Sequence, residues 1–145
     1  MANTRGRCHC GAVSYEFDPA AVIWRGYCHC ESCRRACSAP VVAWFGVEKD
    51  AWHWTGAAPK RRQSSAWAER FFCADCGSQM AYRTTKLPDE IHGLAASLED
   101  PADFAPGAHF FHSKALPWLH IADDLPRYVD GGKTLEQPPP GDGRA

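Results

Sequence analysis

Cys28-His29-Cys30-Glu31-Ser32-Cys33-Arg34-Arg35 is the stretch on which the reading of this chain turns. Its three thiols lie within six residues, so one metal can take all three. Zinc favours about four soft ligands in a tetrahedron, with Zn–S near ~2.3 Å. Alternate residues of an extended segment point the same way, so Cys-x-Cys presents both sulfurs to one ion. Cys-x-x-Cys does the same by curling around it. Moving outward, Cys8-His9-Cys10 lies upstream and Cys73-Ala74-Asp75-Cys76 downstream. Those two pairs, Cys8, Cys10, Cys73 and Cys76, complete a separate four-thiolate set. Such a set has no open position and reads as structural. The set of Cys28, Cys30 and Cys33 has room for a fourth ligand, the usual mark of a metal that does chemistry.

Cys37 is the remaining one of eight cysteines in 145 residues. It stands four residues after Cys33 and would share a helix face with it. Two readings stay open: a fourth ligand that closes the second site, or a small apolar residue. Disulfides are the other use of so many cysteines. Met1–Arg7 is polar and basic with no apolar signal region, so the expected address is a reducing cytoplasm, where thiols persist. His9 and His29 sit between paired cysteines and would point away from the metal.

The ligand set suggests a class of reaction. Three thiolates leave zinc with a formal charge of −1 and poorly suited to making hydroxide. Another soft donor, a substrate sulfur, suits it better. Arg34 and Arg35 follow at once and are candidates to offset that charge or to hold a substrate carboxylate. Glu31 and Glu69 are candidate proton shuttles, but no residue is assigned as the general acid or base.

Around the cysteines the chain reads as short strands broken by eleven prolines and twelve glycines. Period-2 or β-rich runs predict strands at 12–18, 22–27, 41–47, 52–54, 67–72, 79–84, 91–95, 109–112 and 118–121. Helix signals are confined to 31–38 and to 100–104, where Asp100 is a candidate N-cap before Pro101. His109 and His112, three apart in a β-rich run, are expected to face opposite sides. Lys60-Arg61-Arg62 reads as a solvated turn. Trp24, Trp44, Trp52, Trp54, Trp67 and Trp118 read as core filling, with Trp44 and Phe45 the candidates for an aromatic wall beside the second metal. One domain, 1–130, is expected, followed by a mobile Pro/Gly-rich tail, 131–145.

The cysteine motifs carry a resemblance. Cys8-His9-Cys10-Gly11-Ala12-Val13, Cys28-His29-Cys30 with Cys33-Arg34-Arg35, and Phe72-Cys73-Ala74-Asp75-Cys76-Gly77-Ser78 resemble the glutathione-dependent formaldehyde-activating enzyme family, also called the centromere protein V family. Ala96-Ser97-Leu98-Glu99-Asp100-Pro101, His109–Ser113 with Trp118, and Asp123-Asp124-Leu125-Pro126 are similar to its later motifs. The resemblance implies a mainly β fold of the β-tent type, small antiparallel sheets around a structural zinc with few short helices. It implies two Zn2+ per chain: one on Cys8, Cys10, Cys73 and Cys76, and one on Cys28, Cys30 and Cys33 with an exchangeable fourth position. It implies a carbon–sulfur lyase whose partners are glutathione or a similar thiol and formaldehyde or another small aldehyde.

The rival reading is a non-enzymatic two-zinc β scaffold or interaction module, favoured if Cys37 closes the second site. Nucleic acid is an unfavoured partner. Sixteen Lys and Arg against seventeen Asp and Glu give a net charge of −1 and no basic field for phosphates. A membrane is unfavoured too, because the longest apolar run, 40–46, is far below the ~20 residues of a span.

Overall fold

The computed structural model describes residues 2–137. Its strands, in chain order, are β1 (Thr4–Arg7), β2 (Ser14–Phe17), β3 (Val22–Cys28), β4 (Val42–Glu48), β5 (Trp52–Trp54), β6 (Lys60–Ser65), β7 (Ala68–Phe72), β8 (Gln79–Thr84), β9 (Glu90–Leu94) and β10 (His109–Phe110). The one α-helix among the described residues, α1 (Glu31–Cys37), lies between β3 and β4 in sequence. The fold is mainly β, as the turn-rich alternation of the sequence predicts. Two compact units divide the chain: Met1–Gly26 with Ala43–Pro106, and Tyr27–Val42 with Gly107–Ala145.

The first unit holds two sheets. A three-stranded sheet runs β1-β2-β5, and a larger one runs β10-β3-β4-β9-β8-β7-β6, its β10 end described with the second unit below. Consecutive hairpins make the pairs β6–β7, β7–β8 and β8–β9 antiparallel. Between the sheets' residues the core is aromatic. Tyr15 stacks on Trp52 at 4.1 Å between ring centroids, and Phe17 meets Phe45 at 5.0 Å. Alternation explains this: Tyr15 and Phe17 are the buried positions of β2, while Ser14 and Glu16 lie at the more accessible ones. Phe71, Met80, Ile91 and Cys73 extend the same core.

The second unit begins where β3 passes Gly26. Its last two residues take β10 as a parallel neighbour, with His109 opposite Tyr27 and Phe110 opposite Cys28. β10 stops after two residues because Phe111 adopts a left-handed backbone, φ 52°. His112–Lys114 then forms a 3-10 turn. The 109–112 strand is therefore shorter than expected. The predicted strand at 118–121 does not form, and Trp118 is 66% exposed rather than core filling. Trp67 is also exposed, whereas Trp44 and Trp52 are buried.

Two strands carry no apolar signal in the sequence. β1 (TRGR) and β6 (KRRQSS) are polar edge strands, extended because β2 and β7 offer them ladder hydrogen bonds. Lys60-Arg61-Arg62 thus begins a strand and is not a turn. Of the expected tail, residues 131–137 are described. Asp130 Oδ1 accepts from the backbone N–H groups of Gly132, Lys133 and Thr134, and Glu136 N–H donates to Arg127 O. The rest, 138–145, lies outside the described residues. Among the described residues no helix is long and apolar enough to cross a membrane.

Candidate metal centres

The first centre forms where two tight turns of the first unit meet. Cys8 and Cys10 sit on the turn after β1, and Cys73 and Cys76 on the turn between β7 and β8. The turns are built alike. Gly11 N–H donates to Cys8 O at 3.1 Å, and Gly77 N–H donates to Cys73 O at 2.9 Å. Both glycines have positive φ, +83° and +76°. A Cβ at Gly77 would meet nothing within 4 Å, so the backbone conformation and not crowding calls for glycine there. A bond from His9 N–H to Ser78 Oγ, 3.1 Å, links one turn to the other.

The four sulfurs of Cys8, Cys10, Cys73 and Cys76 all lie within 4.8 Å of one another. Their protons reflect the crowding. Burial raises the Cys8 thiol, but the Val13 N–H, Cys10 and Cys73 outweigh burial and lower it overall. The Ser78 hydroxyl and backbone N–H hold Cys76 down to about 5. The Ala12 N–H favours the Cys10 thiolate, yet Cys8 and the other sulfurs push Cys10 up to about 12. Sulfurs this close cannot all ionise without a cation among them, and a soft divalent ion supplies that charge. The donor set fits zinc.

The second centre lies in the second unit. Cys28 ends β3, Cys30 is the N-cap of α1, and Cys33 lies in the first turn of that helix. Cys30 Sγ accepts from the Cys33 N–H at 3.3 Å, the place a serine or aspartate oxygen usually takes at a helix start. The sulfurs of Cys28, Cys30 and Cys33 also lie within 4.8 Å of one another, and the two other sulfurs push the Cys28 thiol upward. Three mutually repelling sulfurs again fit a soft cation. Cys37, the last residue of α1, is not a member of this cluster. Both cysteine clusters could bind metal ions.

Arg34 and Arg35 flank the second cluster but differ in what they do. Arg34 Nε donates to His29 O at 3.2 Å and so braces the Cys28–Cys30 segment. Arg35 pairs with Glu31 at 2.8 Å, with side chains 78% and 64% exposed. A pair that open contributes little to stability. It also holds the Glu31 carboxyl below its ordinary value. Glu69, the other candidate shuttle, borders a surface hollow with Gln63, Trp67 and Arg83 that contains no cysteine.

The histidines depart most from expectation. His29, just past the end of β3, is 2% exposed. Its Nε2 lies 2.8 Å from His109 Nδ1, and His109 Nε2 lies 2.9 Å from Asp123 Oδ2. Burial first, and then the neighbouring His109, lower His29 to about 4. Desolvation would raise Asp123, but the bond from His109, the Leu125 N–H and the Arg127 charge bring it below its ordinary value. His112 does not face away from His109: the left-handed Phe111 turns the chain, leaving the two rings 5.6 Å apart and His112 4.9 Å from His29. No metal-ligand spacing marks His29, His109 or Asp123 in the sequence. The available signal was the resemblance of the His109–Ser113 and Asp123–Pro126 stretches to the family's later motifs, which names no partner for His29.

A family model described as glutathione-dependent formaldehyde-activating enzyme matches residues 3–114. The chain belongs to this family. A Schizosaccharomyces pombe protein named as an uncharacterized lyase is 34% identical over 93 residues, 61% of this chain. That match spans 64% of the relative's own length. A crystal structure of a Rhodobacter sphaeroides protein is similar with a TM-score of 0.53 and 27% identity, covering 68% of this chain and 93% of that one. The family match contains all seven cysteines of the two clusters, together with His29 and His109, and ends before Asp123.

Proposed function

We propose that this chain is a zinc-dependent carbon–sulfur lyase acting on the adduct of glutathione, or a similar thiol, with formaldehyde or another small aldehyde. Family membership supports the reaction class, and the S. pombe relative is itself named a lyase. One observation carries the reading to a particular place: a three-sulfur cluster in the same chain as a four-sulfur one.

In this reading Cys8, Cys10, Cys73 and Cys76 hold a structural zinc, and Cys28, Cys30 and Cys33 hold a second with one ligand position left for the substrate. When bound there, zinc supplies a soft Lewis acid that favours the thiolate form of a substrate sulfur. The reaction involves no oxidation. In the addition direction the thiol S–H is lost, a C–S bond forms at the carbonyl carbon, and the proton ends on the former carbonyl oxygen. Cleavage reverses each change. The Cys30 N-cap and the Arg34 brace hold the ligand turn in shape. Arg35, on the exposed face of α1, is the cation we assign to a substrate carboxylate.

Metal content and turnover test this together. Wild-type protein is expected to carry two zinc ions per chain and to turn over S-hydroxymethylglutathione. Cys33→Ser is expected to carry one and to lose turnover while keeping its circular dichroism. Full turnover by a folded C33S variant would remove the basis for the second zinc.

A further inference from the structure

His29 is tied down at nearly every polar atom it has. Its N–H donates to Phe110 O at 3.0 Å, its C=O accepts from Arg34 Nε at 3.2 Å, and its Nε2 meets His109 Nδ1 at 2.8 Å. His109 is fixed in turn. Its N–H donates to Pro126 O, its C=O accepts from Tyr128 N–H, and its Nε2 donates to the Asp123 carboxylate at 2.9 Å. Asp123 Oδ1 accepts from Leu125 N–H and from Arg127, both at 3.1 Å. The second nitrogen of Arg127 donates to Ile121 O at 3.0 Å. The result is an unbroken chain, Arg127–Asp123–His109–His29, whose two imidazoles are 0% and 2% exposed.

The carboxylate sets the direction of these bonds. Asp123 can only accept, so His109 donates to it from Nε2, and the tautomer with that one proton leaves Nδ1 to accept from His29. His29 therefore donates through Nε2–H, and its Nδ1 is left as a buried acceptor with no hydrogen-bond partner. Apolar residues could fill this volume without leaving a ring nitrogen unpaired. What they could not do is fix one residue in position and orientation. The residue so fixed lies between Cys28 and Cys30.

We infer that His29, His109 and Asp123 are positioning residues for the three-cysteine centre: they lock the Cys28-His29-Cys30 backbone so that the Cys28 and Cys30 sulfurs stand at ligand spacing before a metal arrives. None of the three touches the metal or the substrate in this role. The inference rests on the reading that Cys28, Cys30 and Cys33 hold a metal. It extends the usual logic of outer-sphere support, in which groups behind the ligands fix their geometry, to a histidine that is itself not a ligand.

The test is cadmium titration of the full chain, read by thiolate-to-cadmium absorption, on wild type, His109→Leu, His109→Gln and Asp123→Ala. Glutamine can accept from His29 through Oε1 and donate to Asp123 through Nε2–H, so it can rebuild the chain. H109L is expected to weaken the second equivalent of cadmium by about ten- to a hundredfold, with the first equivalent unchanged. H109Q should recover most of that loss. D123A, whose side chain is on the rim, should weaken the second equivalent less, and it carries the test if H109L does not fold. Unchanged second-site affinity in folded H109L or D123A overturns the inference alone. So does H109Q behaving like H109L, or parallel weakening of both equivalents. A wild-type chain that takes up one equivalent overturns the metal reading and this inference with it.

Discussion

The tripeptide Cys-His-Cys occurs twice, at 8–10 and at 28–30, and the two copies are held in different ways. At the first, His9 is exposed and the turn leans on another turn of the same design, more than sixty residues later in the chain. At the second, His29 is buried and the turn leans on a helix start and a chain of polar side chains. The comparison teaches that a ligand motif specifies donors but not their support. The first copy finds two further sulfurs on its partner turn and closes. The second has one further sulfur within its own helix and stays three-fold, with side chains doing the bracing.

The largest expected difference between the copies lies in what metal loss does. Structural zinc sites contribute folding energy directly, on the order of 10 kcal/mol in small zinc peptides. Cys73→Ser, or chelation of the first site, is therefore expected to unfold much of the first unit, seen as loss of near-ultraviolet dichroism from Trp52 and its neighbours. Cys33→Ser should leave that signal in place. Equal loss of signal in both variants would erase the distinction between a structural and a working centre.

A smaller effect separates the two histidines. His29→Ala leaves His109 Nδ1 buried and unpaired, at a cost of about 1–3 kcal/mol in denaturant unfolding. His9→Ala, on the surface, should stay within about 0.5 kcal/mol of wild type. Similar costs for both would show that burial of the second copy's histidine has no structural weight.

Gly77→Ala probes the turn design at the first centre. Its open surroundings leave only the left-handed backbone to oppose the methyl, so about 1–2 kcal/mol is expected, measured by the same unfolding curves. The smallest effect belongs to Cys37→Ser. Because Cys37 lies outside the sulfur cluster, metal content should stay at two per chain. Loss of one ion would make Cys37 a ligand and the second centre a closed one.

Much of the architecture was legible residue by residue. β5 and β8 match their predicted limits, and β3, β4 and α1 lie within a residue of theirs, because apolar alternation or a ligand turn marks them. β1 and β6 were illegible for a physical reason. β6 is exposed along most of its length and β1 buries only Thr4 and Gly6, so neither shows an apolar alternation, and what makes them extended is a neighbour's free backbone groups. Trp118 failed the other way: an aromatic residue signals burial only if some surface is there to cover it, and here it is 66% exposed. The 109–112 run looked like a strand until a single left-handed residue, Phe111, turned it.

The grouping of Cys8 and Cys10 with Cys73 and Cys76, and of Cys28 with Cys30 and Cys33, was legible in the sequence alone, whereas Cys37 was left outside the second group only by the structure. Metal-ligand spacing is local, and turns of two or three residues admit few arrangements of paired sulfurs. The tertiary structure alone also decided how the second turn is held. His29 and His109 are 80 residues apart, and His109 and Asp123 another 14. No periodicity or spacing rule links residues at such separations. Their association depends on β10 pairing in parallel with the end of β3, which brings a histidine from near the C-terminal end behind a cysteine turn from near the start.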